Sequence, residues 1–239
     1  MIEIKNLKKN YGKKEAVKGI TLSIQPGELF AFLGPNGAGK TSTLKMLAGL
    51  LRPTSGSIHI GGYDLNKEPL KAKSILSFVP DIPYVYEKLT PWEFLRFVGK
   101  LYSLDPQTIQ KKGEELLRFF ELWDVRDVLI EEFSHGMKQK AVLSASLIHD
   151  PKVFILDEPM VGLDPVSIRS FKDLLKKKTR EGTIVIFSTH TLPLAEELAD
   201  RLVIIDHGQI IASGTMDELR TKYASRENLE QMFLRLVEK

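Results

Sequence analysis

A chain of 239 residues with 43% hydrophobic and 27% charged residues can bury a substantial core and lies outside the disordered class. The absence of cysteine excludes disulfides, thiolate metal sites and cysteine nucleophiles. A net charge of +3 gives no argument for a nucleic-acid partner, and no apolar run approaches the ~20 residues that a membrane-spanning helix needs. The opening MIEIKNLKKNYGKK carries neither an apolar stretch nor a cleavage pattern, so no signal peptide is expected.

The apolar run Leu29–Leu33 predicts a buried strand. A glycine-rich segment follows, and then a helix over Thr41–Leu51. Ile58–Ile60 and Ile75–Val79 predict short strands. Between 83 and 150 the strand signal disappears, and Trp92–Tyr102, Thr108–Leu122 and Met137–Ile148 carry helical spacing. Pro91 suits the first turn of the first of these helices. Residues 83–150 thus read as a helical lobe inserted into an α/β core made of 1–82 and 151–222. Val153–Leu156 and Thr183–Phe187 are two more buried strands, and Leu202–Asp206 and Gln209–Ser213 flank a His207-Gly208 hairpin turn. The run Lys176-Lys177-Lys178 reads as a solvated helix face. Leu229, Met232, Phe233 and Leu236 predict an amphipathic helix in a tail over 223–239.

Gly34-Pro35-Asn36-Gly37-Ala38-Gly39-Lys40-Thr41 matches G-x-x-x-x-G-K-[ST], a pattern that background usage produces in roughly one chain in a hundred of this length. A strand before it and a helix after it weigh against a ligand-free glycine turn. The glycines let backbone N–H groups close around phosphate oxygens, and the helix start adds a positive dipole end. Lys40 is expected to reach the β and γ phosphates, and the Thr41 hydroxyl to ligate Mg²⁺, with Ser42 beside it in the nucleotide-binding set. The apolar strand at 153–156 ends in Asp157 and Glu158. Alone, such a pair is commonly a solvated strand edge. Downstream of a phosphate loop, Asp157 is expected to hold Mg²⁺ and Glu158 to orient or deprotonate a water. The strand TIVIF runs into Ser188-Thr189-His190, where His190 can donate to a γ-phosphate and hold the water in line with Glu158.

These segments, in this order, resemble the ATP-binding cassette (ABC) family: Tyr11, the loop at 34–41, Ser134-His135-Gly136-Met137-Lys138-Gln139, Leu156-Asp157-Glu158-Pro159 and Thr189-His190. Gly162-Leu163-Asp164-Pro165 adds the loop that follows the two carboxylates in that family. The resemblance implies a P-loop NTPase with a RecA-like core, an N-terminal antiparallel β subdomain and an inserted α-helical subdomain. It implies an ATPase using ATP and Mg²⁺, with Tyr11 stacked on adenine. It also implies that Ser134 and Gly136 reach ATP held by a second cassette, either another copy or a paralogue, with Asp164 at the seam. Ser134 Oγ, the Gly136 N–H and the following helix start make physical sense as an anion site. The implied partner is a transmembrane permease, with the cassette at the cytoplasmic face of the membrane.

Two departures stand out. The family usually carries Ser-Gly-Gly-Gln, where this chain has His135 and Met137, and most members carry Gln where this chain has Asp81, here expected to sense Mg²⁺. The Met-Lys-Gln variant and the tail resemble the export-type group. No Asn-Lys-x-Asp segment for guanine is present, which favours ATP over GTP. Six aromatics, Tyr84, Tyr86, Trp92, Phe94, Phe97 and Tyr102, fall within 82–102, and part of them is expected to face a partner helix. The rival reading, a soluble ABC ATPase on nucleic acid or ribosomes, would carry two cassettes or a long insert, so no nucleic-acid partner is expected. A regulatory module without turnover is a second rival, against which Glu158 and His190 both argue.

Overall fold

The computed structural model describes residues 1–222 and 229–237. The chain opens with β1 (Ile2–Tyr11) and β2 (Lys14–Ile24), followed by β3 (Leu29–Leu33) and α1 (Lys40–Leu47). Then come β4 (Ser55–Ile60), β5 (Tyr63–Asp64), α2 (Pro69–Ser74) and β6 (Leu76–Val79). Helices α3 (Pro91–Leu101), α4 (Pro106–Phe119) and α5 (His135–Leu147) precede β7 (Val153–Asp157). The rest is α6 (Pro165–Arg180), β8 (Ile184–Ser188), α7 (Leu192–Leu198), β9 (Arg201–Asp206), β10 (Gln209–Gly214), α8 (Met216–Lys222) and α9 (Leu229–Val237).

Two sheets carry the architecture. One is antiparallel, in the order β2-β1-β4-β5. The other runs β10-β9-β3-β8-β7-β6, parallel from β9 through β6, with β10 antiparallel at its edge. Every residue of β3, β7 and β8 is buried. That is why these strands read as unbroken apolar runs: a parallel strand covered on both faces has no solvent side to mark. Phe30 and Phe32 point into a core shared with the antiparallel sheet and α1, whereas Leu33, Phe154 and Phe171 face the helical side.

Helix ends follow from capping rather than periodicity. The helix expected over Thr41–Leu51 stops at Leu47, because Gly49 turns left-handed at φ 65°. The helix expected from Thr108 begins at Pro106, with Asp105 accepting from the Thr108 N–H at 2.9 Å, and it ends at Phe119 instead of Leu122. α3 begins with a reciprocal capping box between Thr90 and Glu93. The lysine run lies in α6, but only Lys177 of the three is exposed; Lys178 pairs with Asp150 at 3.1 Å. The amphipathic stretch near the end forms α9, with Leu229 and Met232 buried; residues 223–228 and 238–239 of the tail lie outside the described set.

The helices between β6 and β7 are fastened to β6 by an aromatic stack. The Tyr102 and His149 rings lie 3.5 Å apart and nearly parallel. Tyr102 Oη donates to the Leu76 carbonyl at 3.2 Å, and His149 Nε2 lies 3.3 Å from the same oxygen. Burial pushes the His149 pKa down to about 4, so the ring is neutral here. Beside this stack runs a groove of about 440 Å³ whose lining includes Leu50, Phe78, Tyr84, Phe94 and Val98. Of the six aromatics in 82–102, Tyr84, Tyr86 and Phe97 are exposed, at 77%, 59% and 39%, while Phe94 is buried. Among the described residues no helix is long and apolar enough to cross a membrane.

Candidate nucleotide site

The glycine-rich loop joins the end of β3 to the start of α1 at the edge where the parallel strands end. Gly39 sits at φ 109°, and a Cβ there would lie 2.6 Å from the Ala16 carbonyl on β2. Only glycine satisfies both conditions. A Cβ on Gly34 would run into the Ile205 carbonyl. The loop is therefore set by its neighbours, β2 and the β9–β10 hairpin. The Lys40 ammonium, on a residue 7% exposed, donates to the Gly34 carbonyl at 2.7 Å and to Pro35 at 3.2 Å. Burial lowers its pKa, and the nearby Glu158 and Asp157 carboxylates oppose that shift.

Tyr11, 48% exposed, ends β1 with its hydroxyl 3.4 Å from Ser42 Oγ, which places its ring beside the first turn of α1. Thr41 occupies the same turn and is half-buried.

β7 delivers two carboxylates at its C-terminal end. Asp157 is 1% exposed, and its Oδ1 accepts from the Ser188 hydroxyl. Its Oδ2 is buried with no hydrogen-bond partner. Glu158 follows at φ 50° and places Oε1 2.9 Å from His190 Nδ1. The Glu158 N–H donates to Ser188 Oγ at 3.1 Å. His190 is itself largely exposed, so this end of the sheet is a rim with a buried acid behind it.

The unpartnered Asp157 Oδ2 is what a cation-facing carboxylate requires. Among the described residues no group of three His, Asp or Glu side chains could hold a cation by protein ligands alone. Mg²⁺ fits such a site, since it is commonly bound through one or two carboxylates with substrate phosphates and water completing the shell.

A second cluster forms around the start of α5. Ser134 is exposed and caps the helix, accepting from the Met137 N–H at 3.3 Å. Gly136 lies against the Gly162 carbonyl so closely that a Cβ would collide with it, and the His135 ring lies over Gly162, itself at φ 82°. Gln139 Nε2 donates to the Pro159 carbonyl at 3.3 Å. Lys140 bridges Asp164 at 3.2 Å and Glu121 at 2.8 Å. Asp164 caps α6, and hydrogen bonds from Ser167, then Lys140, hold its carboxyl well below the usual carboxylate range. The Ser134–Gly136 and Gly162–Asp164 segments therefore form one packed unit.

The hydrogen-bond geometry joins Asp157 to Glu158 through Ser188, joins Glu158 to His190 directly, and joins Tyr11 to Ser42. Among the described residues no hydrogen bond links the α5 cluster to the phosphate loop. Asp81 lies exposed in the bend after β6. Ser188, Gln139 and Lys140 are contacts that the sequence reading left without a role. The signal for Ser188 was a polar residue ending an otherwise apolar strand.

The family model for ABC transporters matches residues 17–161. The linearmycin resistance ATP-binding protein LnrL of Bacillus subtilis (strain 168) is 42% identical over 92% of this chain and 70% of its own. The daunorubicin/doxorubicin resistance ATP-binding protein DrrA of Streptomyces peucetius is 38% identical over 94% of this chain and 68% of its own. A solved ATP-binding subunit of an ABC transporter superposes with a TM-score of 0.94 at 32% identity, covering 99% of both chains. The chain belongs to the ABC transporter family. It is an ATP-binding, ATP-hydrolysing cassette with the P-loop NTPase fold.

Proposed function

We propose that this cassette closes with a second cassette around MgATP and passes the free energy of that closure to a membrane permease that exports small molecules. The observation that carries the reading is the exposed Ser134 at the start of α5, whose segment packs through Gly136 against the 162–164 loop, while among the described residues no hydrogen bond joins it to the phosphate loop. Such a site is complete only when another molecule brings the phosphate. Symmetry then places two nucleotides between two head-to-tail cassettes, each held by Lys40 and the loop of one copy and by Ser134 of the other.

In this arrangement Tyr11 stacks on adenine, while N–H groups of the loop, among them those of Asn36, Gly37, Ala38 and Gly39, cradle the phosphates. Lys40 moves its donors from the Gly34 and Pro35 carbonyls to phosphate oxygens. Thr41 and Asp157, with Asp81 nearby in sequence to β6, would hold Mg²⁺. When bound, Mg²⁺ would neutralise negative charge on the triphosphate. Glu158 takes the proton of a water in line with the γ-phosphorus, and His190 orients both Glu158 and the γ-phosphate. Asp164, fixed by Lys140 and Ser167, lies at the seam and links the two sites.

Export is supported by the two relatives named for drug resistance and by the Met-Lys-Gln signature variant. The groove beside Tyr102 and His149, continued by exposed Tyr84, Tyr86 and Phe97, suits an amphipathic permease helix at the cytoplasmic face of the membrane. Replacing Tyr84 and Tyr86 with Glu is expected to release the cassette from the membranes of its own cells while leaving nucleotide binding by the purified chain unchanged. Equal membrane attachment of wild type and variant would contradict the docking assignment.

A further inference from the structure

Ser188 closes β8 and pairs with Asp157 across the parallel β7–β8 ladder. It is completely buried. Its hydroxyl gives its one proton to Asp157 Oδ1 and accepts the Glu158 N–H at 3.1 Å. Both acids of the site are thus held by one hydroxyl group.

Two consequences follow. With Oδ1 engaged, Asp157 presents Oδ2, buried and unpartnered, in one fixed direction. Glu158 occupies the left-handed region at φ 50°, which costs a non-glycine residue energy and persists only when its surroundings hold it there. The bond from its N–H to Ser188 is such a restraint, and this backbone conformation brings Oε1 to His190 at 2.9 Å.

We infer that Ser188 is a positioning residue for the reaction: its hydroxyl aims Asp157 at the metal that accompanies the nucleotide and pins Glu158 in the conformation that meets His190. The inference rests on the reading of Asp157 as the metal-facing carboxylate. Groups behind a metal ligand fix its orientation, and their loss typically lowers metal affinity or activity 10- to 100-fold.

The test compares Ser188→Ala, Ser188→Val and Ser188→Thr. Valine and threonine have nearly the same shape, so their difference reports the hydroxyl and not the packing. Affinity for trinitrophenyl-ATP is measured in EDTA and in Mg²⁺, alongside the Mg²⁺ half-saturation, kcat and KM of ATP hydrolysis. In EDTA all variants are expected to bind like wild type. In the Ala and Val variants the gain in affinity that Mg²⁺ gives shrinks, Mg²⁺ half-saturation rises about 10- to 100-fold and kcat falls. Threonine restores wild-type behaviour. If valine and threonine behave alike, or if alanine matches wild type, the inference is overturned; if the threonine variant does not fold, the alanine variant decides. Asp157→Asn separates this failure from that of the underlying reading. A Mg²⁺ dependence intact in Asp157→Asn removes the metal assignment, whereas one lost there but kept in Ser188→Val removes only the role of Ser188.

Discussion

Glu158→Gln is expected to lower steady-state phosphate release by about 10²- to 10⁴-fold, the usual contribution of a positioned general base. Glutamine keeps the size and the hydrogen-bonding reach of glutamate, so the contact to His190 at 2.9 Å is largely preserved. What it loses is the capacity to take a proton from water. The backbone at φ 50° is held by Ser188 and not by the side chain, so the fold is not expected to change. Because the loss falls on the chemical step, ATP affinity stays at its wild-type value and kcat alone collapses. Measuring both by single-turnover hydrolysis and equilibrium binding checks the assignment. Phosphate release equal to wild type would remove Glu158 from the reaction.

Lys40→Ala is expected to weaken ATP binding about 10- to 100-fold, the loss of a charge-assisted hydrogen-bond set worth ~1.5–3 kcal/mol. The argument is electrostatic as well as geometric. Lys40 is the buried cation facing Asp157 and Glu158, and both carboxylates act to raise its pKa. Without it, a triphosphate would enter beside two acids with no fixed positive charge between them. Fluorescence titration with a labelled nucleotide reads the effect directly, and unchanged affinity would undo the assignment of the loop as the phosphate cradle. Thermal melting serves as the control, since the lost contacts to Gly34 and Pro35 lie within a single loop.

Much of this was legible in the residues because the chemistry is local. The phosphate loop is one unbroken segment that its spacing marks, and Asp157 with Glu158 follows an apolar strand downstream of it, so the loop upstream singled out a pair that alone would read as a strand edge. Buried parallel strands such as Leu29–Leu33 read clearly because both faces are covered. Helix boundaries did not, since periodicity says nothing of Asp105 or Gly49, which fix where α4 starts and α1 stops. The long β1–β2 ladder was under-read. Its register shifts between Ile4 and Leu7 and between Lys9 and Asn10 break the two-residue alternation that marks a half-buried strand. The contacts of Ser188, 31 positions from Asp157, and of Lys140 with Asp164 are set by tertiary packing, which no local pattern records.

The claim on which the account turns is that ATP bridges two cassettes through Ser134, and sedimentation velocity tests it most directly. Glu158→Gln with saturating MgATP is expected to sediment as a dimer, and the added change Ser134→Arg to return it to a monomer that still binds nucleotide through its own phosphate loop. A chain that stays monomeric with MgATP bound, or a dimer indifferent to Ser134→Arg, would contradict it.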